Sequence, residues 1–200
     1  MTKAPGKTRG RKKRQAKELS PPGDTIIVMR SIFLIGFMGA GKTSVGEVLA
    51  ERLGYRFIDL DQRLCESFGT TIPEVFESHG EEAFREAERE ELVRCADGQK
   101  LVVATGGGAF CSEANREIIR ASGGQSVFLD LPWEALGARL DADHAARPKY
   151  GDAGLAQRLF ESRLPDYRRA MVIVEMVGSE SAEAAADLVM AALEEAPCVI

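Results

Sequence analysis

Two hundred residues, 44% apolar and 28% charged, suffice for one compact core and are too apolar for a disordered chain. No apolar run approaches the about 20 residues needed to cross a bilayer, so a soluble protein is expected. The net charge of −5 is unevenly spread: residues 1–24 carry eight Lys or Arg against two acids, leaving −11 on the rest, which argues against broad nucleic-acid binding by the folded part.

Residues 1–24 have almost no bulky apolar side chains and end in Pro21-Pro22-Gly23, so they read as a basic, solvated tail ahead of a domain over 25–200. Only this tail offers a segment for nucleic acid or an acidic partner. From Ser31 short apolar runs alternate with helical stretches, the pattern of a parallel sheet joined by helical crossovers. Strands are expected at Ile32–Gly36, Arg56–Asp61, Leu101–Thr105, Ser126–Leu131 and Val172–Val177. Helical segments are expected near 43–53, 73–97, 112–121, 132–141, 154–170 and 181–195. Thr71-Ile-Pro-Glu74 and Ser78-His-Gly-Glu81 both have capping-box spacing. The stretch between the second and third strands is too long for a plain crossover and implies an added lobe. Residues 142–153 are polar, lack periodicity and read as a loop. The four cysteines, Cys65, Cys95, Cys111 and Cys198, are widely spaced without C-x-x-C, which fits a reducing cytoplasm better than a disulfide framework or a zinc site.

Gly36-Phe-Met-Gly39-Ala40-Gly41-Lys42-Thr43 matches G-x-x-x-x-G-K-[ST] directly after an apolar strand and directly before a helix, the context this phosphate-binding motif demands. Glycines let backbone N–H groups turn inward around a phosphate, and the following helix adds its positive end. Gly39, Ala40, Gly41, Lys42, Thr43 and Ser44 are thus the expected ATP-binding residues, with Lys42 neutralising the β- and γ-phosphates and the Thr43 hydroxyl on magnesium. The motif does not say what becomes of the nucleotide. A guanine-reading N-K-x-D is absent, since the single asparagine, Asn115, precedes Arg116. Asp130 is followed by Leu-Pro rather than a second acid and reads as a strand terminus or helix-start acid.

In Phe57-Ile-Asp59-Leu-Asp61 a period of two places both acids on one strand face, at the sheet edge where ligands sit. They read either as a metal-organising and an acceptor-orienting carboxylate or as a solvated strand end. Gly106-Gly107-Gly108 follows the third strand and suits close backbone approach to a ligand, with a flexible turn as the alternative. Arg85 on the added lobe, Arg147 before Pro148 and Arg163 before Leu-Pro-Asp-Tyr could each fork onto a carboxylate or phosphate. Arg163, Arg168 and Arg169 could equally form a helix face paired with Glu161 and Asp166.

Together Gly-Phe-Met-Gly-Ala-Gly-Lys-Thr, Phe-Ile-Asp-Leu-Asp, Gly-Glu-Glu-Ala-Phe-Arg, Ala-Thr-Gly-Gly-Gly and the Arg-Pro loop resemble the shikimate kinases, relatives of the nucleoside monophosphate kinases, over about 31–177. The resemblance implies an α/β P-loop NTPase fold: a five-stranded parallel sheet of order 2-3-1-4-5 flanked by helices, a lid about 142–153 and a substrate lobe about 62–90. It implies ATP-dependent phosphorylation of the 3-hydroxyl of shikimate. By position, Asp61 contacts shikimate hydroxyls and orients or acts as base, Asp59 holds Mg2+ through water, and Arg85 and Arg163 grip the substrate carboxylate. The Gly106, Gly107 and Gly108 backbone closes the pocket, Arg147 swings over the phosphates, and Arg139 stacks on adenine. The lid here reads Arg-Pro-Lys-Tyr where the family usually has Arg-Pro-Leu-Leu. A cytoplasmic monomer acting on shikimate and ATP, away from membranes, is expected. The alternatives are a kinase for another hydroxy acid such as gluconate, or a non-catalytic nucleotide-binding regulator.

Overall fold

Ile32, Phe33, Leu34 and Ile35 are all fully buried, as a strand covered on both faces requires. They form β1 (Ile32–Ile35), the middle of a parallel sheet of order β2-β3-β1-β4-β5. The computed structural model describes Met1 and residues 30–142 and 153–196. Among the described residues the chain runs α1 (Lys42–Leu53), β2 (Arg56–Asp59), α2 (Leu60–Phe68), α3 (Ile72–Ser78), α4 (Gly80–Ala96) and β3 (Leu101–Ala104). A 3-10 turn (Ala109–Cys111), α5 (Glu113–Ala121), β4 (Gln125–Asp130), α6 (Trp133–Ala142), α7 (Ala153–Tyr167), β5 (Val172–Glu175) and α8 (Ala182–Glu195) complete it. The expected tail over 1–24, apart from Met1, and nearly all of the expected lid lie outside the described residues.

All five expected strands are present in the expected order, and Asp130 ends β4. The register places Asp59 beside Ala104 and Ala104 beside Leu34, so β2, β3 and β1 finish at one level. Whatever follows these three strands therefore emerges at one edge of the sheet. The main core covers both sheet faces, and a separate small apolar cluster of Leu64, Val75 and Phe84, flanked by Phe68, Ile72, Phe76 and Ala87, holds α2, α3 and the start of α4 together. That cluster gives the added lobe its own packing.

Three local expectations need correction. β2 stops at Asp59 rather than Asp61, because the Asp59 carboxylate accepts from Gln62 N at 3.1 Å and caps a helix, α2, which was not among the expected elements although Leu60, Leu64 and Phe68 have helical spacing. Asp61 consequently sits in the first helical turn and not on a strand face. The stretch 73–97 is two helices, broken at Gly80, whose φ of +83° is left-handed. Ser78 does not cap the second one: its hydroxyl donates back to Glu74 O, which satisfies the end of α3 instead.

The Thr71 capping box forms as expected. Glu74 accepts from Thr71 N at 3.0 Å, from Thr71 Oγ1 at 2.8 Å and from Thr70 Oγ1. These bonds favour the ionised form and hold the Glu74 carboxyl down at about 2 from an ordinary value of 4.5, the Thr70 hydroxyl contributing most. Because the folded value is the lower one, the stabilisation is complete above the ordinary carboxylate range and is lost as pH falls toward about 2. A carbon-13 titration of the Glu74 side chain should show a midpoint near the lower value; an ordinary midpoint of 4.5 would mean that the box is not formed in solution.

Candidate active site

Gly39 and Gly41 adopt φ of +79° and +90°, a left-handed backbone that a side chain would strain, and so let the loop between β1 and α1 curl back on itself. Gly41 caps α1 without a side-chain hydrogen bond, and the first helical turn holds no acid, so this helix start is suited to receiving an anion. Lys42 Nζ donates to Gly36 O and Phe37 O, both at 2.9 Å, which lays the ammonium across the loop. Ala40 is buried beneath, while Thr43 and Ser44 are exposed at the mouth. Thr43 Oγ1 donates to Asp59 Oδ2 at 2.7 Å, pairing the two oxygen donors expected to organise magnesium. Hard oxygen donors suit that ion, which keeps several waters and leans on phosphate oxygens. No group of three or more His, Cys, Asp or Glu that could hold a metal ion occurs among the described residues.

The other expected residues converge on the loop after β3, and its three glycines show how closely. A Cβ on Gly106 would lie 2.6 Å from Asp61 Oδ1 and 2.9 Å from Glu88 Oε1. On Gly107 it would lie 3.7 Å from Arg163 Nη1, 3.6 Å from Met38 N and 3.9 Å from Gly36 O, the carbonyl that Lys42 also holds. On Gly108 it would lie 2.9 Å from both terminal nitrogens of Arg85. One glycine thus faces each substrate-site element, and the middle one also faces the phosphate loop. Asp61 reaches this place from α2 and not from β2, so the expected convergence holds although the element was misread. Arg147 lies outside the described residues.

Arg85 is fixed by two acids of its own helix. It donates to Glu88 Oε2 at 2.9 Å through Nη1, and to Glu81 Oε1 at 3.3 and 3.4 Å through Nη2 and Nε. Glu88 is almost completely buried. Burial pushes its carboxyl above the ordinary value and the nearby Asp61 charge adds to this, while Arg85 and Arg163 oppose. Tyr167, also buried, donates its hydroxyl to Gly107 O, and burial raises its phenol well above the ordinary range. Arg139 donates to Gly39 O at 3.0 Å and Gly178 O at 2.8 Å, tying the phosphate loop to the turn after β5. Glu180 accepts from Val177 N and Gly178 N in that turn, at 2.8 and 2.7 Å.

A sequence model described as "Shikimate kinase" matches residues 38–194. The chain belongs to the shikimate kinase family. It is 41% identical over 170 residues to a shikimate kinase of Synechococcus sp. (strain RCC307), covering 84% of each chain. A shikimate kinase crystal structure from Bacteroides thetaiotaomicron superposes with a TM-score of 0.75 at 35% identity, covering 82% of this chain and 96% of that one. The Acinetobacter baumannii shikimate kinase in complex with shikimate superposes at 0.73 and 35%, covering 84% and 93%.

Within this family frame, Glu88 and Tyr167 are the members of the site that sequence reasoning overlooked. Glu88 had a signal, since it stands three residues after Arg85 on a helical stretch, the spacing of an ion pair. Tyr167 had none beyond its place near Arg163. The spacing around Gly106 yields a direct expectation. Gly106→Ala inserts a methyl group onto Asp61 and Glu88 and should cut kcat/KM for the acceptor about a hundredfold, the scale of an ångström-level misplacement, with ATP affinity unchanged. Steady-state kinetics beside a nucleotide titration would check this; an unaltered kcat/KM would show that Gly106 does not set the position of Asp61.

Proposed function

We propose that this chain transfers the γ-phosphoryl group of ATP to the 3-hydroxyl of shikimate, giving ADP and shikimate 3-phosphate. The observation that carries the reading is the triglycine segment, which brings Asp61, Arg85 and Arg163 to one surface facing the loop on which Lys42 lies. The acceptor is an anion bearing hydroxyl groups, and the site offers two guanidinium groups for a carboxylate and one carboxylate for a hydroxyl.

In this scheme Lys42 leaves its loop carbonyls for the β- and γ-phosphates, and backbone N–H groups at the start of α1 hold the nucleotide in place. Magnesium, when bound, would supply neutralisation of charge between the phosphates, held by the Thr43 hydroxyl and by Asp59 through water. Arg85 and Arg163 fix the carboxylate of shikimate, which turns the ring so that one hydroxyl meets Asp61. Asp61 accepts the proton of that hydroxyl as its oxygen bonds to γ-phosphorus and the bond to the ADP oxygen breaks. Catalysis is chiefly positioning and charge neutralisation. Arg147 would close over the phosphates from the lid. The scheme asks nothing of a second copy of the chain, and a monomer is proposed. The half-buried or buried Cys65, Cys95 and Cys111 are free thiols, in keeping with a cytoplasmic setting.

Asp61→Asn removes the proton acceptor while keeping the shape, and should lower kcat by about 10² to 10⁴ with ATP binding intact. Undiminished turnover would remove Asp61 from the chemistry. A coupled assay over a panel of small hydroxy acids should show phosphorylation of shikimate and none of gluconate. Turnover of gluconate without shikimate would overturn the substrate assignment, and turnover of neither would favour a nucleotide-binding regulator.

A further inference from the structure

The turn that closes the triglycine loop is held from outside the site. Its three carbonyl groups accept from two consecutive side chains of α5: Asn115 Nδ2 donates to Ala109 O at 2.9 Å, and Arg116 Nη1 donates to Phe110 O at 2.7 Å and Cys111 O at 3.0 Å. The Arg116 guanidinium also lies 6.0 Å from the centre of the Phe110 ring. The same nitrogen reaches across to α7 and donates to Asp166 Oδ1 at 3.1 Å. The Arg116 side chain is only 14% exposed and that of Asp166 29%, so this pair is sheltered from the screening that weakens surface pairs. Arg169, on the solvent side, stands 3.9 Å from the same carboxylate oxygen.

Asp166 lies three residues beyond Arg163 and one before Tyr167, whose hydroxyl holds Gly107 O. Between Arg163 and Asp166 is Pro165, inside α7, which can neither donate a backbone hydrogen bond nor continue the helix without bending it. Arg163 stands just before the proline and hydrogen-bonds the Tyr167 side chain past it, so its place depends on what ties down the last turn of α7. Two ties do so, Tyr167 to Gly107 and Asp166 through Arg116 to Phe110 and Cys111.

We propose that Arg116 and Asp166 are positioning residues for the acceptor site: their ion pair locks the end of α7 to the triglycine loop and so sets where the Arg163 guanidinium stands relative to Gly107. Neither is assigned contact with substrate. The proposal rests on the reading that Arg163 grips the acceptor carboxylate. An ion pair that served folding alone would influence both substrates alike, whereas a clamp on Arg163 acts on one.

The test is steady-state kinetics of the full chain with shikimate and ATP for Asp166→Asn, Asp166→Glu, Arg116→Lys and Arg163→Lys, with a thermal melt of each. Asp166→Asn should raise the KM for shikimate about tenfold, the scale of coupling within one ion-pair network, and leave the KM for ATP near that of the parent, with a lowered melting temperature because the sheltered Arg116 charge loses its partner. Asp166→Glu, which keeps the charge, should restore most of that loss. Arg116→Lys should resemble Asp166→Asn, because the lysine ammonium ends about one bond short of the place Nη1 holds and lacks the planar fork that fixes its direction. An unchanged shikimate KM in Asp166→Asn, with a raised one in Arg163→Lys, overturns the clamp alone. A parallel rise in both KM values overturns it as well, in favour of a structural pair. An unchanged shikimate KM in Arg163→Lys overturns the reading of Arg163 beneath the proposal, and the proposal with it.

Discussion

The arrangement depends on the absence of side chains at Gly106 and Gly108. A Cβ at either would lie within 3 Å of a charged group, whereas at Gly107 it would make ordinary contact with Arg163 and the phosphate loop. The bare backbone at the two ends of the segment thus lets two carboxylates, two guanidinium groups and a phosphate-binding loop share one surface. The parallel register does the rest, since it ends β1, β2 and β3 level with one another and delivers the loops that follow them to the same edge.

Charge is placed locally and not in bulk. An acidic chain concentrates Lys42, Arg85 and Arg163 where the sheet ends, and the first two of these cations are held by oxygen. Lys42 rests on two carbonyls, and Arg85 on Glu81 and Glu88. Such partners fix geometry before substrate arrives, which lowers the ordering cost of binding. Glu88 is the costly member. It is a buried acid beside Asp61, tolerable because Arg85 bonds it directly, so the two acids and their arginines act as one unit.

Much of this was legible in the sequence, for identifiable reasons. The strand order could be inferred from a resemblance, and the phosphate loop from a motif whose flanking strand and helix can both be read from periodicity. Asp59, Asp61, Arg85, Arg163 and the glycines were singled out by residue type and neighbourhood with plainer readings left open, and their roles came from the resemblance. The element carrying Asp61 was not legible, because Asp59 ends the strand through a side-chain cap, and the alternation of Phe57, Asp59 and Asp61 masked the helical spacing of Leu60, Leu64 and Phe68. Ser78 deceived for a related reason: a hydroxyl three residues before a glutamate can cap a following helix or close a preceding one, and the left-handed Gly80 decides between them. Tyr167 and the Arg116 to Asp166 pair depend on contacts between segments far apart in the chain, which spacing within one segment cannot reveal, whereas the Arg85 to Glu88 pair lies within one helix.

The central claim is that nucleotide phosphate and acceptor alcohol meet across the triglycine segment. A crystal structure of the chain with shikimate and a non-hydrolysable ATP analogue tests it most directly. The account predicts the shikimate carboxylate between Arg85 and Arg163, with its 3-hydroxyl against Asp61 and about 3 to 3.5 Å from the γ-phosphorus, in line with the bond to be broken. Shikimate bound away from Gly106–Gly108, or with its carboxylate turned toward Lys42 and its hydroxyls toward the arginines, would contradict it.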